Sequence, residues 1–365
     1  MADQDHDGWM IYGASGYTGV LLAEEAARRG LRPLLAGRSE AKLRPLAERL
    51  GMSFRAVGLE DPAALRRALE GVRAVLHCAG PFVDTSAPMV RACLEVKAHY
   101  LDITGERSVF QQVLAKDAEA KARGVCLISG VGFDVVPSDC LARHVAEQVP
   151  GVRSLEIALA MLGRPSAGTV KSLFGFLPQG TWVRRGGRLQ RIAFGRGVRK
   201  VRLPERDVLA LPMALADLET AYRTTGAPDI TVLLVIPTRL ARVLRVAWPS
   251  VALGMAVTRP LLASGPVQGA ARRWVDANVR GADEARRQRT RTFVWARARN
   301  DGQEKEAWLE CPDGYDFTVH SALNAVRSVL DRAPDGATTP ALAFGADFVL
   351  TVPGARRLDA LPARS

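Results

Sequence analysis

Trp9-Met10-Ile11-Tyr12-Gly13-Ala14-Ser15-Gly16-Tyr17-Thr18-Gly19 is the stretch that decides the fold. Four apolar residues run into a loop with glycines at positions 13, 16 and 19, and an Ala/Leu-rich segment of helical spacing follows. A strand that turns at once into a helix leaves the first amides of that helix unpaired and its positive dipole end exposed. Such a turn suits a phosphate or pyrophosphate, because glycines permit the tight bend and let the anion approach the backbone. Ser15, Tyr17 and Thr18 can add donors. Three glycines alone also occur in ordinary tight turns, and the strand before and helix after them make the difference.

From Trp9 to about Gln148, apolar strands alternate with amphipathic helices, the pattern of a parallel α/β sheet. Strands are expected at Trp9–Ala14, Arg32–Gly37, Ser53–Gly58, Ala74–Ala79, Tyr100–Thr104 and Val125–Ser129. The intervening helices are Gly16–Arg29, Glu40–Leu50, Pro62–Leu69, Ala87–Val96, Ser108–Arg123 and Pro137–Gln148. The fold class is therefore α/β: residues 1–150 form a Rossmann-type, doubly wound parallel sheet. After Pro150-Gly151 the regularity changes, and residues 151–330 read as a second, α+β domain for substrate or dimerisation. It has a strand at Ser154–Met161, a helix near Gly168–Phe176, a strand at Asp229–Val235, and paired strands at Thr290–Arg299 and Glu304–Cys311. Residues 331–365 are a C-terminal segment whose apolar run Asp347–Thr351 can pack back on either domain.

With 365 residues, 48% hydrophobic and 24% charged, the chain can bury two cores. The polar start, Met1 to Gly8, lacks the plan of a secretory signal, so a cytoplasmic protein is expected. Five cysteines without CxxC pairs argue against a disulfide framework and against a metal site. Of the net charge of +12, much sits in Arg184 to Arg206, where nine basic residues accompany one acidic residue. That run reads either as a solvated hairpin or as an attractor for a phosphate-bearing substrate, an acidic carrier or an anionic membrane face. It has too few aromatics for a nucleic-acid partner. Val246 to Ala271 carries Arg259 as its one charge, yet Pro249, Pro260 and Pro266 interrupt it short of the roughly 18–20 apolar residues of a spanning helix. A buried helix pair is the first reading; an interfacial helix giving peripheral membrane contact, or the wall of a lipid-binding cleft, is the other.

The end of the second strand selects the cofactor. A ribose 2′-hydroxyl calls for an acid there and a 2′-phosphate for a cation. This chain has Gly37-Arg38-Ser39 with Lys42 a turn later, which points to NADP(H) held by Arg38, Ser39 and Lys42. The fourth strand ends in His77-Cys78-Ala79-Gly80-Pro81-Phe82, so Cys78, Ala79, Gly80 and Pro81 are expected to border the cofactor. His77 reads as a core histidine, and Cys78 has no evident base to make it a nucleophile. Hydride transfer further needs a proton donor or a polarising group. Tyr222, Lys171 and Asp134 are the candidates. Each has a plainer alternative: Tyr222 packed at a domain junction, and Ser138 or Asp139 near Asp134 serving as a helix cap. Asp102 and Glu106 can line the crevice or bind backbone only, and His144 and His320, the latter after the alternating stretch Tyr315–Val319, read as structural.

GASGYTG at 13–19, AGR at 36–38, CAGPF at 78–82, YLDITGE at 100–106 and GVGFDVVPSDCLA at 130–142 together resemble the saccharopine dehydrogenase-like oxidoreductases. SAGTVKS at 166–172, TAYRTTGAPDI at 220–230 and FGADFVL at 344–350 resemble the branch that includes trans-acting enoyl reductases. The resemblance implies an NADP-binding Rossmann domain followed by a domain whose sheet helps subunits associate, hence a homodimer. It implies an NADP-dependent reductase of a C=C or C=O bond in a hydrophobic, carrier-linked acyl or polyketide substrate. A saccharopine-type C–N reaction, or a non-catalytic NADP-binding protein at a lipid surface, are the rival readings. Because the 2′-phosphate argument rests on one guanidinium, Arg38→Ala is expected to erase most of the preference for NADPH over NADH in a fluorescence titration.

Overall fold

The computed structural model describes residues 6–161, 181–236 and 291–361 and parts of 246–278. The chain divides into two units: Met1–Cys140 with Gly314–Pro353, and Leu141–Asp313 with Gly354–Ser365. This differs from boundaries at 150 and 330, since residues 314–353 return to the first unit.

The first unit is built on seven parallel strands: β1 (Trp9–Tyr12), β2 (Leu34–Gly37), β3 (Phe54–Ala56), β4 (Ala74–His77), β5 (His99–Asp102), β6 (Cys126–Ile128) and β15 (Gly336–Thr338). Their order, β15-β6-β5-β4-β1-β2-β3, reverses direction at β1, which puts a crevice at the carboxyl edge between β1 and β4. Every residue of β1, β2 and β4 is buried, as a sheet covered on both faces requires. On one face Met10, Tyr12, Leu34, Val75, Tyr100 and Leu127 meet helical Leu65, Met89, Val90, Val109 and Val113.

The connecting helices are α1 (Tyr17–Arg28), α2 (Glu40–Leu50), α3 (Pro62–Ala68), α4 (Phe82–Val96), α5 (Arg107–Leu114), α6 (Asp117–Arg123) and α7 (Val136–Glu147). Helix α4 starts five residues before the expected Ala87 and carries Pro88 within it. Pro88 is the seventh residue of the helix, so its ring removes the amide that would otherwise pair with the Asp84 carbonyl. The expected single helix Ser108–Arg123 is two, α5 and α6.

The second unit holds a mixed sheet in the order β10-β11-β12-β7-β13-β14-β16. Its strands are β7 (Ser154–Met161), β10 (Arg199–Arg202), β11 (Asp207–Pro212), β12 (Asp229–Ile236), β13 (Thr292–Arg299), β14 (Glu304–Cys311) and β16 (Arg356–Leu358), with the hairpin β8 (Thr181–Arg185) and β9 (Arg188–Ile192) pairing to β12. Val201, Ala210, Leu233, Ala158, Trp295 and Trp308 share one cluster across it. Trp308 Nε1 donates to the Arg202 carbonyl at 2.7 Å, so the sheet curls until β14 meets the end of β10. The basic run is partly neutralised where it lies in this sheet: Arg184 pairs with Glu219 at 2.7 Å, Lys200 with Asp207 at 2.6 Å, and Arg199 with Glu156.

The alternating stretch Tyr315–Val319 opens helix α10 (Gly314–Asp331), with Phe317, Ser321, Ala322, Ala325 and Val329 buried at helical spacing. The run Asp347–Thr351 forms a 3-10 turn over Phe348–Thr351. The strands that do return are β15 to the first sheet and β16 to the second. The helix expected near 168–176, with Lys171, lies outside the described residues. Among the described residues no helix is long and apolar enough to cross a membrane.

Helix α7 anchors this return. Buried Asp139 accepts from the Ala341 amide at 2.8 Å, at the start of helix α11 (Pro340–Phe344), while Ser138 donates to the Val135 carbonyl at 3.0 Å. A buried charge-assisted bond of this kind contributes about 1.5–3 kcal/mol. Asp139→Ala should lower stability by about that amount, read from the denaturant midpoint of the intact chain.

Candidate functional site

The glycine loop follows from close packing at the switch point. Gly13 has φ +87, and a Cβ placed there would lie 2.7 Å from Ala79 N and 2.9 Å from the Cys78 carbonyl carbon. Loop β1–α1 therefore rests directly on loop β4–α4, and only glycine fits. Its amide and that of Ala14 both donate to the Ala36 carbonyl, at 2.8 and 3.1 Å, tying the turn to the end of β2. A Cβ at Gly19 would fall 2.2 Å from the Gly13 carbonyl oxygen, so α1 leaves the strand as tightly as backbone permits. No side chain caps α1 at Gly16, and no acid occupies its first turn. The cradle thus fits a diphosphate: an uncapped helix start with backbone packed where side chains would otherwise block it.

Beyond β2, Arg38 is exposed and Ser39 is the N-cap of α2 without a side-chain capping bond. Among the described residues neither Arg38 nor Lys42, also exposed, forms an ion pair, which suits both to an incoming phosphate. Asp61 caps α3, accepting from the amides of Ala63 and Ala64 at 2.9 and 3.0 Å, and so is spent on backbone. Tyr17, at the loop, meets Tyr315 of α10 edge to face at 4.8 Å. The sequence gives no hint of that second aromatic because 298 positions separate the pair and only the return of α10 joins them.

The β4–α4 loop is held from the next strand. Glu106 accepts from the amides of Phe82 and Val83 at 3.1 and 2.9 Å, supplying from outside the cap that α4, opening at Pro81, lacks. Thr104 Oγ1 in turn accepts from the Glu106 amide at 3.0 Å, and the Thr104 amide donates to Asp102 at 2.9 Å. Fully buried Asp102 also accepts from Ser129 Oγ at 2.8 Å and the Gly130 amide at 2.9 Å, which locks β5 to β6. Burial pushes the Asp102 carboxyl up to about 6, against the pull of those donors. Asp102 and Glu106 are thus positioning groups, which the sequence left open. The signal was present in the uncapped Gly80-Pro81-Phe82 start and a carboxylate just past the neighbouring strand.

His77 is buried among rings, stacked on Tyr12 at 5.4 Å and edge-on to Phe82 at 5.5 Å. Burial pushes its pKa down to about 3, so it is neutral, and its Nε2 lies 3.0 Å from Thr85 Oγ1, which donates to the Ala79 carbonyl at 2.6 Å. Burial, with Asp102 beside it, pushes the Cys78 thiol well above the ordinary thiol range, leaving no thiolate for attack.

Of the proton-donor candidates, Asp134 lies at the carboxyl edge of the first sheet, against Gly105, whose Cβ position is 3.0 Å from its Oδ2. Its surface is accessible, yet the crowding of surrounding protein pushes its carboxyl up to about 6, and among the described residues no hydrogen bond engages it. Tyr222 lies on helix α8 (Asp217–Thr225) of the second unit, stacked on the Arg184 guanidinium at 4.0 Å. Arg184 in turn donates to the Leu218 and Gly187 carbonyls at 2.9 and 2.8 Å, so Tyr222 covers a buried ion-pair network. A cavity of about 500 Å³ lined by Glu70, Arg73, Lys97 and His99 opens at the amino edge of the first sheet, away from the glycine loop. It is no part of this site. His144 binds Asp359 at 2.6 Å, and His320 packs with Arg29 and Glu25, both structural roles.

An uncapped glycine turn at the switch point of a doubly wound sheet, flanked by cations without ion pairs among the described residues, defines a dinucleotide-binding protein. Residues 9–128 match the family described as Saccharopine dehydrogenase NADP binding domain. A saccharopine dehydrogenase-like oxidoreductase of Mus musculus is 30% identical over 47% of this chain and 46% of its own. A trans-acting enoyl reductase of Mycobacterium ulcerans (strain Agy99) is 29% identical over 37% and 34%, and a lipid droplet localized protein of Caenorhabditis elegans is 30% identical over 55% and 52%. The chain spans about half the length of the curated relatives it matches. Saccharopine dehydrogenase (L-Glu forming) from Saccharomyces cerevisiae shares the fold, with a TM-score of 0.64 and 10% identity over 96% of this chain and 99% of that one.

Glu106→Ala should leave two helix-start amides without their carboxylate and loosen the loop beneath the cofactor. The expected result is NADPH affinity weakened about 10-fold with thermal stability lowered by only about 1–2 kcal/mol. Glu106→Gln should recover most of the affinity.

Proposed function

We propose that the chain is an NADP-dependent oxidoreductase that reduces a C=C or C=O bond in a hydrophobic, carrier-linked acyl substrate. The observation that carries this reading is the uncapped start of α1 beside the unpaired Arg38 and Lys42, in a domain of the NADP-binding family. When bound, NADPH supplies the hydride at the carboxyl edge. The chain's own part is to hold the diphosphate at Gly13–Gly19, grip the 2′-phosphate with Arg38, and keep Cys78–Pro81 fixed through Glu106. Asp134 is the proton donor in this reading: it sits at the same edge, no other group claims it, and a carboxyl near pKa 6 can still give up a proton near neutral pH. The acyl substrate is supported by the resemblance to a trans-acting enoyl reductase. The five free cysteines suit a reducing compartment such as the cytoplasm.

The saccharopine-type C–N reaction is the competing reading, favoured by the name of the matching domain family. NADPH oxidation by enoyl or ketoacyl thioesters on a phosphopantetheine arm, with no response to an amino acid plus a keto acid, is the expected outcome; the reverse pattern would select the C–N reaction. If Asp134 is the acid, kcat should fall as pH rises through about 6, because the protonated form is lost there. Asp134→Asn should remove that limb and lower kcat by about 10²-fold or more, with NADPH affinity unchanged. A pH profile unaltered by the substitution would discard Asp134.

A further inference from the structure

The cavity of about 500 Å³ at the amino edge of the first sheet lies wholly within the first unit, at the ends of the strands that the reductase reading leaves unused. Three nitrogen-bearing side chains line it from three places: Arg73 directly before β4, Lys97 directly after α4, and His99 at the start of β5. Among the described residues neither Arg73 nor Lys97 forms an ion pair or a side-chain hydrogen bond. His99 Nδ1 accepts from the Cys126 amide at 3.1 Å, which places the ring proton on Nε2 and leaves that nitrogen a donor. Burial, together with the charge of Arg73, lowers the His99 pKa, so the ring is neutral near pH 7 and the guanidinium is its neighbour. Apolar walls come from Leu69, Val96 and Leu330, the last reaching the cavity on α10 once the chain has crossed the second unit through helix α9 (Gly265–Asn278). Among the described lining residues Glu70 is the one acid, so the two cations leave a single positive charge in excess.

The backbone at Lys97 is a second, independent observation. Lys97 closes α4 in the left-handed region at φ 61, and among the described residues it is the one non-glycine with a positive φ. Such a helix end ordinarily takes glycine, as Gly51, Gly124 and Gly226 do after α2, α6 and α8. An L side chain in that conformation costs free energy, and without an ion pair this lysine recovers none of it from a charged neighbour. A side chain kept against the preference of its own backbone, at the rim of a cavity, points to a group from outside the chain. Unpaired cations and a neutral donor beside aliphatic walls suit an anion with an apolar body. A dianionic phosphate would leave one charge uncompensated and the apolar walls wet.

We propose that this cavity is a second ligand site, for a monocarboxylate with an apolar body, the carboxylate held by Arg73, Lys97 and His99 Nε2 and the body by Leu69, Val96 and Leu330. It is independent of the reductase reading: β4 and β5, four residues each, hold it about 13 Å from the edge where the glycine loop lies. The test is isothermal titration calorimetry of the full chain, saturated with NADPH, with octanoate and 3-phenylpropanoate as probes and octylamine and inorganic phosphate as controls. At least one of the two acids should bind one to one, about 10-fold or more tighter than either control. Lys97→Gly should weaken that acid about 10-fold and yet raise Tm, because glycine suits the left-handed helix end. Arg73→Gln, which leaves the backbone alone, should weaken it to a similar extent, and both variants should bind NADPH as the unaltered chain does. A lysine of purely structural meaning would give the higher Tm with the acid's affinity unchanged, and that result would overturn the proposal. So would failure of both acids to bind, octylamine or phosphate binding as tightly as the acids, or acid binding that Arg73→Gln and Lys97→Gly both leave intact, which would assign the acid to another part of the protein.

Discussion

The constraint on which the first unit depends is the contact of two backbones at the switch point. Gly13 lies so close to Cys78 and Ala79 that a single added carbon would stand within 3 Å of main-chain atoms. Backbone cannot retreat as a side chain can, so the register of β1 against β4 and the exit of α1 are set together. The anion cradle is the by-product: where two loops pack without side chains between them, amides and a helix dipole face the crevice. Everything nearby supports this contact. The Ala36 carbonyl takes both amides of the turn, and Glu106 fixes the other loop from just beyond the next strand.

The polar groups of the carboxyl edge divide by what they touch. Asp102, Thr104 and Glu106 form a relay of bonds to backbone that runs from β6 through β5 to the start of α4. They are rigid because each accepts from a main-chain amide, and a group so engaged has little left for a substrate. Arg38, Lys42 and Asp134 are the contrast: charged or chargeable, at the same edge, and among the described residues without an ion pair or side-chain hydrogen bond. Such unspent groups mark where chemistry can enter a frame whose other polar atoms are satisfied.

Alternation of apolar strands with helices made the first sheet legible from sequence, because a parallel sheet covered on both faces must be apolar throughout, and Leu34–Gly37 or Ala74–His77 read as nothing else. The glycine turn was legible for the same reason, since its neighbours supplied context. The tail was not. Tyr315–Val319 is too short for its period to tell strand from helix, and only the burial of Phe317, Ser321 and Ala325 decides it. Glu106 was visible as a carboxylate near a strand end, yet its partners lie 24 and 23 positions away and only folding reveals them.

The return of residues 314–353 makes the first unit discontinuous. A ribosome releases β1 to β6 well before α10 and β15 exist, so an outer edge of the sheet at Cys126–Ile128 and the flank of α1 emerge without their covers. An unpaired parallel edge invites neighbouring nascent chains, and the whole intervening unit must be translated before the gap closes. Circular permutation that joined the last strand of that sheet to its predecessor would shorten the wait, and the difference in soluble yield between the two chain orders would measure what the present arrangement asks of chaperones.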